Sequence, residues 1–451
     1  MVRVVTGERP VAQAQAHTFL AERTPTEQLL KQTLDYVIER SSYYRTAFAP
    51  YDLSDFTLDR FQELPFQTEA DFDEHAAEIR CGGTTDYVLL TGGTSHFQKI
   101  GFRSQAEYDV FGQAVRGMKQ PSNGITIELL SSIHGARAHI PGGEDLLRVP
   151  FAHPEHFRLV EGLLTRTAPR TSDLPRIEAV GGTLTRLKLL TTYLQERGHD
   201  LTSFKLDRLT THGWQLTPRW RAMLETAWGC RVTDVYGMSE FDMALSEECA
   251  DCGYYHFIPA AYSEVIDVRS GRPAAEGTAG VLAMTTLYPF WQLEPRIRFW
   301  TNDVLRVGPV CPTTSANGIR FKGRYANCAY DREENEFVLF TTDVTNVLDD
   351  FPDVARKEKL NLVPSSSSEE CGFLRFSLET RESPDRAITL GVELRYEPTH
   401  FPERTGGLRS EIVERLRRAS PSLNHAVQRE RWKISVEFFR PGGLGGTWIV
   451  S

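Results

Sequence analysis

Two stretches of this chain carry residue types that do chemistry, at spacings with a mechanical meaning. The segment ECADCGYYHFIP holds Cys249-x-x-Cys252-x-x-x-His256, and Cys311 follows in GPVCPTT. Paired thiolates with a nearby imidazole and a distant fourth cysteine suit tetrahedral zinc, which favours sulfur and nitrogen donors. Buried thiols beside a core histidine would give the same string. Four ligands would close the coordination shell, so such an ion would be structural rather than catalytic. The second stretch, LTGGTSHFQK, sets Thr91, Gly92, Gly93, Thr94 and Ser95 behind the apolar run YVLL and ends on Lys99. Glycines let a backbone approach a phosphate, hydroxyls add donors and a lysine adds charge. An ordinary strand-to-turn segment shares this pattern, and no Gly-Lys-Ser/Thr closes it as in a P-loop.

Three further segments offer oxygens and a cation. In WGCRVTDVYGMSEFDMA a strand, VTDVY, is expected directly before Gly237, Ser239 and Glu240. A carboxylate just past a strand end is a candidate magnesium ligand, because Mg²⁺ takes hard oxygens from one or two carboxylates plus phosphates; a surface acid is the plain alternative. In RIRFWTNDVLRV, Asp303 follows a strand-like run and could accept hydrogen bonds from two sugar hydroxyls, though a turn aspartate looks alike. In FKGRYANC, Arg324 stands where it could reach a phosphate or sugar beside a hinge.

Such residues need a scaffold of some size. With 451 residues the chain exceeds one ordinary core, and two domains are expected. Short apolar runs alternate with helical patterns from about Tyr87 to Ile319, including Leu184 to Arg197, which reads as an α/β body. Thr24, Pro25 and Glu27 look like the start of a helix carried on to Tyr44 by Leu30, Leu34, Val37 and Ile38. After Gly323 the pattern changes: LRFSLE, ITLGVELRY and KISVEFF alternate as half-buried antiparallel strands, with a helix from Leu408 to Arg418 between them. The expected organisation is a large multi-layer α/β domain over 1–324, with the cysteine segment inserted near 249–311, and a small α+β domain over 325–451. The net charge of -9 argues against a nucleic-acid partner. The opening MVRVVTGERPVAQAQ has no apolar segment behind its charge and no run is long enough to span a bilayer, so a cytoplasmic, membrane-free protein is expected. Seven cysteines, an odd number, do not suggest a disulfide framework; Cys81, Cys230, Cys328 and Cys371 are expected in the core.

Taken in order, LTGGTSHFQK, YGMSE, FWTND and GR resemble the phosphate loop and the later motifs of the adenylate-forming superfamily, most closely its phenylacetate-CoA ligase and coenzyme F390 synthetase branch. LDYVIERSSYYRTAF and LPFQTEADF are similar to the segments that open such ligases, so the likeness runs over nearly the whole chain. The resemblance implies a large adenylation domain, a small mobile one, and joining of a carboxylate to the α-phosphate of ATP before transfer to a thiol, usually that of CoA. It would place Thr91 to Ser95 around the β- and γ-phosphates, Tyr236, Gly237, Ser239 and Arg298 at the nucleotide, Glu240 on Mg²⁺, Asp303 on the ribose and Arg324 near the hinge. It also implies structural Zn²⁺ at Cys249, Cys252, His256 and Cys311. Ser132, Ile133, His134, His212, Trp214, Met238 and Phe241 would line the acid pocket, and their types suit a small aromatic acid.

Three departures stand out. The phosphate loop continues as His96-Phe97-Gln98 where the family has its second glycine, and Trp214 replaces a family glutamate. No lysine follows Lys433, although the family's adenylation step uses one near the end of the small domain; Lys99, Arg324 or a partner would have to supply that charge. The expected activity is acyl-CoA or aryl-CoA ligation, with a carrier-protein thiol, an amine or a hydroxyl as alternative acceptors. A catalytically weak protein that binds a nucleotide or acyl adenylate is the alternative of another class. A homodimer follows only from family habit.

Overall fold

The computed structural model describes residues 26–90, 100–118, 124–130, 146–151, 153–242, 246–258, 260–357, 371–382, 385–445 and 449. The expectations for Thr91 to Ser95 and Lys99, and for Ser132, Ile133 and His134, fall outside these residues.

One sheet of 11 strands organises the first three quarters of the chain. Its parallel half runs Leu146–Pro150, Gly124–Leu130, Arg176–Thr183, Arg208–His212, Arg231–Tyr236. The other half, through Ser246–Glu248, Tyr255–Phe257, Asn317–Arg324, Phe299–Val310, Ala279–Thr286 and Ala261–Ile266, is antiparallel throughout. From Leu146–Pro150 onward the connections between successive parallel strands are helical, as parallel pairing favours. The helix Leu184–Glu196 buries Leu187, Leu190 and Leu194, and Pro218–Trp228 buries Leu224 and Trp228, against Ile127, Leu129, Val180, Leu209 and Val232. The second helix shows why it begins and ends where it does: Thr217 caps it, Pro218 opens it, and Gly229 closes it at a φ of 67°. A second core lies under the antiparallel half, where Phe241, Trp291, Phe299 and Met284 meet the opening helices.

Those opening helices differ from the sequence expectation. The helix does not run to Tyr44; it stops at Arg40, and Ser41 turns extended to cap a second helix, Ser42–Phe48, by accepting from the Tyr44 N–H. A serine that offers a cap competes with helix continuation, and apolar spacing alone does not register it.

Beyond Arg324 a smaller sheet forms from Phe376–Arg381, Ala387–Glu393 and Lys433–Phe439. The first two pair antiparallel, as expected, but the last pairs parallel to the second. The reason is the intervening helix Pro402–Ala419, longer than expected, whose Leu408, Ile412 and Leu416 cover Ile388, Leu390 and Val392 and return the chain to the same end of the sheet. Among the described residues no helix is long and apolar enough to cross a membrane.

Candidate functional site

A cavity of about 550 Å³ opens at the carboxyl end of the strand Arg231–Tyr236, the last parallel strand of the sheet. That volume lies within the roughly 300–1,000 Å³ usual for ligand sites, and crevices beyond parallel strand ends are where open α/β sheets bind ligands. Asp234, Tyr236 and Gly237 form one wall, Asp303, Lys322 and Arg324 a second, Trp214 and Gln215 a third, and Thr341, Thr342 and Asn346 a fourth.

Strand pairing builds the polar centre. Asp303 and Arg324 are direct register partners, which brings Arg324 Nε within 2.9 Å of Asp303 Oδ1, although the N–H is not aligned on that oxygen. The Tyr236 hydroxyl donates to Asp303 Oδ2 at 2.7 Å, and the Tyr236 ring stacks on Phe321 with centroids 5.6 Å apart. Asp303 is 5% exposed while the Arg324 side chain is 47% exposed, so the pair joins a buried acceptor to a cation that water still reaches. Burial pushes the Asp303 carboxyl up, and Arg324 and the Tyr236 hydroxyl oppose that rise. Lys322 Nζ sits 2.8 Å from Asp343 Oδ1 and Arg221 pairs with Glu248 at 2.7 Å.

Asp234 was not singled out by the sequence reading. It is 7% exposed; its Oδ2 accepts from the Tyr255 hydroxyl at 2.6 Å, and its Oδ1 is buried with no partner. Burial pushes its carboxyl up to about 7, the Tyr255 bond acting the other way. The available signal was an acid two residues before Tyr236 inside an otherwise β-branched strand, a place where a charge is costly.

Beside the cavity, the turn between the strands Ser246–Glu248 and Tyr255–Phe257 gathers the cysteine cluster. The ligand atoms of Cys249, Cys252, His256 and Cys311 all lie within 4.8 Å of one another, with Cys249 Sγ 3.9 Å from Cys311 Sγ and Cys252 Sγ 3.2 Å from His256 Nε2. Zinc bonds of about 2.3 Å to sulfur and 2.0 Å to nitrogen put tetrahedral donors roughly 3.5–3.8 Å apart, so the donor set fits that ion. His256 Nδ1, the other ring nitrogen, is 3.3 Å from Thr314 Oγ1, the kind of outer contact that orients a ligating imidazole. The backbone N–H of Thr314 helps pull the Cys311 thiol down to about 6. The turn also walls the cavity: Gly253 lines it, and Arg320 donates to the Gly253 carbonyl at 2.8 Å.

No protein-family model matches the sequence. The phenylacetate-coenzyme A ligase of Thermus thermophilus is 25% identical over 305 residues, covering 62% of this chain and 65% of that ligase. A solved 2-hydroxyisobutyryl-CoA ligase, in complex with R3-HIB-AMP, matches at a TM-score of 0.64 over 98% of this chain and 92% of its own, at 17% identity. The chain is thus similar in sequence to a phenylacetate-CoA ligase and shares its fold with a 2-hydroxyisobutyryl-CoA ligase. ATP-bound MatB from Rhodopseudomonas palustris shares the fold at a TM-score of 0.52 and 13% identity over 80% of this chain and 65% of its own.

The expected residues divide into three groups. Tyr236, Gly237, Asp303, Arg324 and Trp214 line the cavity together. Met238, Ser239 and Glu240 follow directly, half-buried, the last two in a short 3₁₀ turn, and His212 ends its strand 2.8 Å from Glu128. Arg298 and Phe241 are elsewhere. Arg298, 1% exposed, pairs with Glu264 at 3.1 Å and donates to the carbonyls of Gln62 and Leu64, so its donors already have partners in the core rather than a nucleotide. Phe241 is 0% exposed, packed beside Trp291 and Phe299, and does not line this cavity. The other four cysteines behave as expected of packing residues: Cys81, Cys328 and Cys371 are buried and Cys230 half-buried.

Proposed function

We propose that the chain is an AMP-forming carboxylate ligase whose nucleotide occupies the cavity at the end of the Arg231–Tyr236 strand. The observation that carries this reading is Asp303: a nearly buried carboxylate at the back of a cavity of about 550 Å³, flanked by the Tyr236 hydroxyl and Arg324. A carboxylate so placed suits a pair of sugar hydroxyls, and the stacked Tyr236 and Phe321 rings suit a flat base. Asp234 Oδ1, buried without a partner on the same wall, is positioned for a base amino group. Glu240, just beyond the strand end, would hold Mg²⁺, which when bound neutralises charge on the phosphates.

In the proposed reaction a carboxylate oxygen of the acid attacks the α-phosphorus, the bond to the bridging oxygen breaks, and pyrophosphate leaves. A thiol then adds to the acyl carbonyl, its proton passes to solvent, and AMP leaves. These steps need positioning and charge neutralisation rather than a protein nucleophile. The relatives named above support CoA as acceptor and a small acid as substrate; an aromatic acid is proposed from the likeness to a phenylacetate ligase. The cysteine cluster is proposed to hold a closed, structural zinc.

Acid-dependent ATP–pyrophosphate exchange tests the proposal. Asp303→Ala should lower exchange at least a hundredfold through loss of nucleotide orientation, on the scale of removing one preorganised polar contact. Undiminished exchange in that variant would remove Asp303 from the nucleotide site.

A further inference from the structure

Arg296 stands outside every role assigned so far. It lies between the strands Ala279–Thr286 and Phe299–Val310, where its N–H donates to Thr286 Oγ1 and its carbonyl accepts from the Thr286 N–H, both at 2.8 Å. The side chain is 8% exposed. Its guanidinium carbon lies 4.2 Å from the ring centroid of Phe72, 5.6 Å from that of Phe299 and 5.9 Å from that of Phe241, the residue directly after Glu240. Nε and Nη1 are buried and donate to no acceptor among the described residues.

Its neighbour Arg103 is paired with Asp242 at 2.8 Å, and Arg298, two residues on, with Glu264 at 3.1 Å. Among the described residues, Arg296 has no carboxylate within ion-pair distance. A buried cation with unused donors is costly, and native folds keep such groups where a ligand repays the cost. Two more buried donors in the same core lack acceptors, Trp291 Nε1 and Gln67 Nε2. The Trp291 ring is 6.4 Å from Phe241, and Gln67 Oε1 already takes the Tyr44 hydroxyl at 2.8 Å and the Ile297 N–H at 3.3 Å. A local surplus of donors over acceptors matches an anionic ligand. Burial and then the like charge of Arg103 draw the guanidinium pKa down, while Glu240 and Glu294 act against them.

Resting on the adenylation reading, we infer that Arg296 is an anion-binding residue beside Glu240 that takes the paired oxygens of a reacting anion on its aromatic shelf. A planar guanidinium presents parallel N–H groups that fit a carboxylate or a phosphate equally. Both anions enter the proposed reaction, the acid's carboxylate and the polyphosphate of ATP.

The test compares full-length wild type with Arg296→Met and Arg296→Lys, by calorimetric binding of MgATP, inorganic pyrophosphate and phenylacetate, and by acid-dependent exchange. Arg296→Met should bind at least one of these anions at least fivefold more weakly, with Arg296→Lys recovering part of the loss. Weaker MgATP and pyrophosphate assign the phosphate chain; weaker phenylacetate assigns the carboxylate. Its melting temperature should equal or exceed wild type, since an unpartnered buried charge is removed; should the Met variant not fold, Arg296→Lys and Arg296→Gln carry the same comparison. Affinities all within fivefold of wild type, or a wild type that binds none of the three, overturn the inference. Exchange that persists in Arg296→Met at wild-type rate overturns it while leaving the ligase reading intact. Arg296-dependent anion binding without exchange of any acid overturns the ligase reading and leaves the inference standing.

Discussion

At the scale of single residues, Asp234 makes the sharpest prediction. Its carboxyl is raised from the ordinary value to about 7, burial being the main cause. Between about pH 4 and 7 the folded protein therefore holds a proton that the unfolded chain has released, and stability falls as pH rises through that window. Asparagine does not titrate. Asp234→Asn should gain on wild type by roughly 2–3 kcal/mol between pH 5 and pH 8, read from urea midpoints at each pH. A difference that does not change with pH would mean that the group ionises normally. Legibility follows the same line. Tyr236, Asp303 and Arg324 stood out because motif and strand end coincide, whereas Asp234 and Arg296 matter through burial and a lack of partners, which are properties of tertiary packing. Arg298 shows the converse: beside a motif it reads as a ligand contact, whereas the fold pairs it with Glu264, 34 residues away.

Single elements show where local pattern suffices. The strand before Gly237 was readable from its run VTDVY, and the helix over 184–196 from its leucines. Parallel pairing of Lys433–Phe439 was not, because alternation fixes which face is buried and says nothing of direction. The cysteine turn is the element with the most to lose. Chelation, or Cys311→Ser, should release about one zinc per chain and lower the melting temperature by roughly 5 °C or more, since bound metal adds directly to folded-state stability. Purified protein with no zinc and an unchanged melting temperature after chelation would refute the metal assignment. Gly323 marks the end of the large sheet: at a φ of 135°, an added Cβ would fall 2.8 Å from Thr341 Oγ1. Gly323→Ala should cost on the order of 1–3 kcal/mol through backbone strain, measurable as a lower urea midpoint; an unchanged midpoint would show that this junction relaxes freely.

At the scale of the whole molecule, the cavity is a seam. Its walls come from the large sheet and from residues beyond Arg324: Gln215 donates to Asn346 Oδ1 at 2.8 Å, the Thr217 hydroxyl to Asp349 Oδ2 at 2.6 Å, and Trp214 packs on Phe373 with centroids 4.0 Å apart. We propose that residues 325–451 form the smaller unit expected from the sequence and that it closes over the nucleotide through these contacts, a gating role that loops and domains commonly take. Sequence patterning located the change of character near Gly323 but not the seam, which depends on pairs more than 100 residues apart. The central claim, that this cavity adenylates a carboxylic acid, is tested most directly by ATP–pyrophosphate exchange against a panel of aromatic and short aliphatic acids, with wild type beside Glu240→Ala. The account predicts exchange that depends on at least one acid and falls by two orders of magnitude or more in the variant. Exchange absent with every acid, in protein that still binds MgATP, would contradict it.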